Sequence, residues 1–316
     1  MSFGHSFDGI ITLMLMIAIG YFYSKKPWFG EKGGVFLSKL TVQLALPFYM
    51  VYNVTNTYET KEELLETIGS FPIPVLSILI SMAVGYIMLR LIRVPEGRRG
   101  AFVDMCSLSN IVLIGFPVIA SLFGDSVATY SLVYYMANTA LFYSIGTFLL
   151  RRDAGQKAGI FTWETLKNVF SPPFVGFILG VLMVVTNIRP TAVLASVIKS
   201  VGSTASPISM LFIGNVISRV DFRTVRLDAE KTAVLLCKFL LGPLIMYLLC
   251  LNAAIPVVMK KIFIILAGMP IIAQSSILSR EYGADYEFVS LMVTISTLIS
   301  LITIPLMRIL VEYIPL

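Results

Sequence analysis

Two prolines inside apolar runs, Pro117 and Pro270, each follow a glycine by two residues, Gly115 and Gly268. Uncharged polar residues cluster around them: Ser109 and Asn110 about two helical turns before Pro117, and Gln274 one turn after Pro270. Asn138 lies midway along another apolar run. Pro117 cannot donate the helical bond that Leu113 would accept, nor Pro270 the one for Leu266, so both helices should break there. The half-helices would then begin at Val118 and Ile271, with N–H groups and positive dipole ends that suit an anion. Amides and hydroxyls beside such breaks can hydrogen-bond a carboxylate or coordinate an ion through oxygen. The substrate-binding candidates are therefore Asn110, Ser109, Gly115, Pro117, Asn138, Gly268, Pro270 and Gln274. Kinks in a passive bundle are the bland alternative, and Asn138 could merely bond a neighbouring helix.

Charged residues inside apolar runs are few, and Asp104 and Lys238 are the candidates for ion or proton coupling. Lys238 could instead snorkel to the inner surface through its stem, and Asp104 could pair with Lys238 or sit at the interface. Gln43, Asn53, Ser203, Ser206, Ser209 and Asn215 flank the prolines of two further runs as weaker candidates. Other chemistry fails on inspection. His5 is the single histidine, so neither a His-based metal site nor a Ser-His triad can form, and Cys106, Cys237 and Cys250 are too scattered for a spaced ligand set. Gly124-Asp125 matches half of an intramembrane aspartyl protease signature without a second catalytic aspartate in a run, and no Walker loop is present. No cofactor is expected.

These residues must be held by membrane-crossing elements. Of 316 residues, 57% are hydrophobic and 13% charged, against about 25% charged in an ordinary soluble domain. That balance excludes a soluble enzyme, disorder and nucleic-acid binding, and indicates an all-α integral membrane protein. Ten apolar runs of helical length emerge: 7–24, 34–54, 70–92, 101–123, 127–150, 171–188, 192–217, 230–251, 257–279 and 287–311. An N-terminus placed outside puts 17 of the 24 Lys and Arg residues in inner loops, Lys25, Lys26, Arg98, Arg99, Arg151 and Arg280 among them. Both termini then lie outside.

The two halves of the chain match each other. Gly115-Phe116-Pro117-Val118-Ile119-Ala120 stands beside Gly268-Met269-Pro270-Ile271-Ile272-Ala273, with four of six positions identical. Gly124 and Ser131-Leu132 recur as Gly283 and Ser290-Leu291 at an offset of 159, and Pro47 and Pro207 are 160 apart. Five runs per half is an odd number, so the second half enters the membrane inverted, a pattern of secondary transporters. The expected organisation is a first five-helix repeat over 1–150, a cytoplasmic linker over 151–170 and a second, inverted repeat over 171–316. Phe161, Trp163 and Leu166 give the linker an interfacial character.

Several of these residues carry a resemblance to a known family. Leu44-Ala45-Leu46-Pro47, Ser109-Asn110 with Gly115-Phe116-Pro117, Phe123-Gly124-Asp125, Ser171-Pro172-Pro173 leading to Gly180, Ser206-Pro207, Lys238 five before Pro243, and Met269-Pro270 with Arg280-Glu281-Tyr282-Gly283 occur in this order. In them the chain resembles the auxin efflux carrier family, which includes bacterial malate and malonate permeases. The resemblance implies ten transmembrane helices in two inverted repeats, broken crossover helices 4 and 9, a fold like that of bile acid sodium symporters, and elevator-like carriage of small organic anions. It also implies that Asn110 binds substrate. The family often has Asn at the position of Ser171 and small polar residues at those of Ile271 and Ile272.

The expected function is a secondary transporter of small carboxylates in the plasma membrane of a prokaryote, with no enzymatic step. A membrane-embedded sensor or channel, using the same breaks to bind a signal or gate a pore, is the rival. Expected partners are the organic anion, the lipid bilayer, a proton or sodium ion for coupling, and a second copy of the chain.

Overall fold

A computed structural model of the chain describes residues 3–124, 127, 129–156, 159–160, 170–219 and 228–316. Asp125, the linker residues Phe161, Trp163 and Leu166, and the basic residues Lys157, Lys167, Arg223 and Arg226 lie outside them. Regular structure among the described residues is helical, apart from one antiparallel bridge. In chain order the α-helices are α1 (Phe3–Tyr23), α2 (Gly30–Leu40), α3 (Leu46–Thr57), α4 (Lys61–Gly69), α5 (Pro72–Leu91), α6 (Arg99–Ser107), α7 (Phe116–Phe123), α8 (Tyr130–Leu141) and α9 (Thr147–Asp153). They continue with α10 (Pro172–Val185), α11 (Ala192–Gly202), α12 (Ala205–Ile217), α13 (Ala229–Leu236), α14 (Gly242–Leu251), α15 (Val257–Ala267), α16 (Gln274–Tyr282) and α17 (Tyr286–Tyr313). Among the described residues, five stretches are long and apolar enough to cross a bilayer: Lys32–Thr57, Lys61–Leu91, Ala192–Ile217, Ala229–Leu251 and Tyr286–Tyr313.

Among the described residues, four five-residue segments widen into π-helix: Thr41–Ala45, Ile111–Gly115, Phe142–Gly146 and Cys237–Leu241. Three of them end two residues before a proline, at Pro47, Pro117 and Pro243. The reason is steric. A proline ring collides with the carbonyl four residues back and donates no bond to it; one residue of extra winding moves that carbonyl aside. Leu46 and Gly242 accordingly bond the carbonyls of Thr41 and Cys237, five residues back. These prolines therefore bend continuous helices without opening them.

The chain forms two compact units. The first comprises Met1–Ser70, Val112–Val133 and Phe170–Val220. Its core is helix on helix, with α10 and α11 against α3 and α12 against α1, and Gly176 lets α10 approach the backbone at Pro47 more closely than a methyl would allow. The second comprises Phe71–Ile111, Tyr134–Val169 and Asp221–Leu316. Here α6 packs on α5 and α9, and all nine of its residues except Arg99 are buried. Asp153 caps its start from α9, accepting the N–H groups of Gly100 and Ala101 at 2.9 and 2.8 Å. Arg98 joins Glu230 at 3.3 Å and Asp285 at 2.5 Å, and so ties the starts of α6, α13 and α17.

The fit of α6 on α9 gives a first expected result. A Cβ on Gly100 would overlap the carbonyl oxygen of Leu149, a backbone atom that cannot swing away. Gly100→Ala should cost about 1–3 kcal/mol by overpacking and lower the melting temperature of the purified protein by several degrees. Gly69→Ala, whose added methyl meets open space, should leave it unchanged or raise it.

Candidate functional site

Helix α6 stops at Ser107, and Leu108 leaves it in an extended conformation with φ −93° and ψ 137°. Residues 108–110 then run beside residues 270–272, which separate α15 from α16. Ser109 and Ile271 form the antiparallel bridge; Asn110 N–H donates to the Pro270 carbonyl at 2.8 Å, and Ile272 N–H to the Leu108 carbonyl at 3.4 Å. Two unwound segments thus pair their backbones in the interior of the second unit.

Side chains hold this crossing. Asn138 of α8 accepts the Ser109 N–H at 2.9 Å and donates to the Ser109 carbonyl at 3.0 Å, clamping both polar groups of one residue. Ser296 of α17 does the matching work on the other strand, accepting the Ile271 N–H at 3.1 Å and donating to the Val293 carbonyl at 2.9 Å. The Ser109 hydroxyl lies 3.4 Å from the Ala267 carbonyl and hydrogen-bonds the Tyr134 side chain. It also accepts from Lys238 Nζ at 2.6 Å, and the same ammonium lies 3.4 Å from the Ser107 carbonyl.

Several expectations need correction. The first helix does not break at Pro117. It is open at 108–110, where Asn138 and the Pro270 carbonyl satisfy the backbone, and winds on from Ile111 through π-helix past Gly115 and Pro117. Leu113 is not left without a partner. The break at Pro270 is present, yet the Leu266 carbonyl accepts from Met269 N–H at 3.2 Å through a tighter turn. The helices after the breaks start at Ile111 and Gln274, not at Val118 and Ile271. Lys238 is 1% exposed and bonded inward, so it does not snorkel. Asp104 is 0% exposed and makes no pair with Lys238, so it is no interface residue either.

Ser109, Asn110, Asn138, Lys238, Gly268, Pro270 and Gln274 all belong to the second unit, Gly115 and Pro117 to the first. Gly268 closes α15 and permits Pro243 to approach, since a Cβ there would lie 2.9 Å from the proline ring. Gln274 opens α16 half-buried, its Oε1 without a hydrogen-bond partner. Among the weaker candidates, Asn53, Asn215 and Ser203 spend their side chains on backbone carbonyls of the first unit, and Gln43 is exposed. Tyr134 and Ser296 were not singled out in the sequence. Ser296 follows Ile271 by 25 residues and Asn138 follows Ser109 by 29.

Apolar helices of crossing length, enclosing an unwound polar segment, define a multi-pass membrane protein. The chain belongs to the membrane transport protein family, whose profile matches residues 5–308; this is the family of the auxin efflux carriers. An uncharacterized transporter of Methanothermobacter thermautotrophicus is 24% identical over 310 residues, covering 97% of this chain and 98% of its own. An uncharacterized transporter of Methanocaldococcus jannaschii is 19% identical over 308 residues, 95% of this chain and 96% of its own.

Proposed function

We propose that the chain is a secondary carrier of small organic anions, carboxylates in particular, working by elevator-like alternating access with no chemical step on the substrate. The observation that carries this is the Lys238 ammonium, buried in the crossing and 2.6 Å from the Ser109 hydroxyl. Among the described residues no acidic side chain pairs with it. A buried cation without a counter-ion is costly, and an anion arriving from outside relieves that cost. Asn110 and Gln274 stand at the two ends of the crossing as amide donors, Asn138 fixes Ser109, and Gly268 and Pro270 keep the second segment unwound. Gly115 and Pro117 shape the helix that follows Asn110.

With this function go ten spans in two inverted repeats, 1–150 and 171–316 about a cytoplasmic linker 151–170, in the plasma membrane of a prokaryote with both termini outside. In a cysteine-free background, Glu62→Cys should react with an impermeant thiol reagent in intact cells and Lys26→Cys should not; the opposite pattern would invert the topology.

Thermal stabilisation of the purified protein tests the anion class. Malonate, malate, pyruvate and indole-3-acetate should be screened with and without sodium, beside amine and amide analogues. At about one hundred times its Kd, a ligand stabilises by roughly 2.7 kcal/mol. At least one acid should raise the melting temperature and no analogue should. Stabilisation by amines and not by acids would refute an anion site.

A further inference from the structure

The Asp104 side chain makes no bond in the crossing. It is 0% exposed, and neither carboxylate oxygen has a hydrogen-bond partner among the described residues. A Cβ on Gly146 would lie 3.1 Å from each oxygen, so the carboxyl sits against a stretch of the π-helix Phe142–Gly146 that only glycine leaves open. Charged and titratable groups on the packed elements are engaged elsewhere. On α9, Asp153 caps α6 and Arg151 lies over the Tyr282 ring, with Arg152 exposed; on α5, Arg90 bonds Tyr86. Beside them, Glu230 pairs with Arg98, Lys231 with Asp228, Asp285 with Arg98, and the Cys237 thiol with Cys106; Arg280 lies over Tyr286, and Glu281 and Glu287 are exposed. Lys238 is committed to Ser109.

We propose that Asp104 is a proton-carrying site, protonated when the anion is bound and ionised when the empty site returns. The inference rests on the carrier function proposed above. With one singly charged carboxylate on Lys238, a protonated Asp104 makes the buried assembly neutral. Without substrate, the Lys238 cation and the Asp104 anion again sum to zero. Carrying net charge through a low-dielectric layer is what such a cycle avoids, so one proton accompanies each singly charged anion in the same direction. The backbone links the two events: the Asp104 carbonyl accepts the last bond of α6, from Leu108 N–H at 2.9 Å, where the crossing begins.

Wild type and Asp104→Asn in proteoliposomes provide the test, with Asp104→Ser in reserve should the first variant not accumulate. Acidifying empty vesicles should bring up the infrared carbonyl stretch of a protonated carboxyl in wild type that the variant lacks. For the acid of the panel above with the largest counterflow, an inward proton gradient should speed wild-type net uptake by about tenfold. In Asp104→Asn that acceleration should vanish while counterflow stays within about twofold of wild type. Absence of the infrared difference at every pH, or counterflow without a proton-gradient effect, overturns the proton role alone. Acceleration by a sodium gradient instead of a proton gradient does the same. Absence of counterflow in wild type overturns the carrier function beneath it.

Discussion

Replacing Lys238 with Met should abolish anion-induced stabilisation and transport while leaving the empty protein at least as stable as wild type. The two halves of this expectation have one cause. Lys238 is buried with its ammonium on a neutral hydroxyl and a backbone carbonyl, and among the described residues no carboxylate pairs with it. Exchanging an unpaired buried ammonium for an apolar side chain of similar volume removes the desolvation cost of the charge. For the bound anion the same change deletes a hydrogen bond to a charged group, worth roughly 1.5–3 kcal/mol, or about tenfold to hundredfold in Kd, and the loss of attraction adds to it. Melting curves with and without the stabilising acid measure both terms. A variant that melts lower yet binds normally would make Lys238 a structural residue.

Asn138→Ala should produce the largest loss of stability of any single change at the crossing. One side chain satisfies both backbone groups of Ser109, at 2.9 and 3.0 Å, and all three residues of the 108–110 segment are buried from water. Alanine would strand a donor and an acceptor, at about 1–3 kcal/mol each, a large part of the roughly 5–15 kcal/mol that holds a typical protein folded. Poor accumulation and a melting temperature several degrees lower are expected. Asn110→Ala should weaken substrate binding by about tenfold to hundredfold. Normal melting of Asn138→Ala would mean that the clamp is not needed to hold the unwound segment.

The sequence made some of this legible and hid the rest for physical reasons. Pro270 announced its break because a proline inside an apolar run, two residues after Gly268, has no wide turn before it to absorb the ring. Pro117 carries the same local signature and bends a continuous helix, since the π-helix Ile111–Gly115 takes up the missing bond. Extra winding of one residue leaves no mark in composition. The opening at Leu108–Asn110 contains no proline at all; its stability comes from Asn138, 29 residues away, and from the Pro270 carbonyl. Ser109, Asn110 and Asn138 were nevertheless named from burial of polar side chains in apolar runs, a criterion that needs no break in the right place. For Lys238 the sequence leaves two destinations open. Its stem is long enough to reach either the surface or the interior, and only Ser109, 129 residues earlier in the chain, settles which. Asn53 and Asn215 met the same criterion and turned out to tie down their own unit's backbone.

Counterflow in proteoliposomes tests the central claim, an anion carrier with Lys238 at its site, most directly. Vesicles holding the wild-type protein and a trapped unlabelled carboxylate should take up the labelled acid faster than vesicles without it, and Lys238→Met vesicles should show no such difference. Uptake that is the same with and without trapped acid, for malonate, malate, pyruvate and indole-3-acetate alike, would contradict the account.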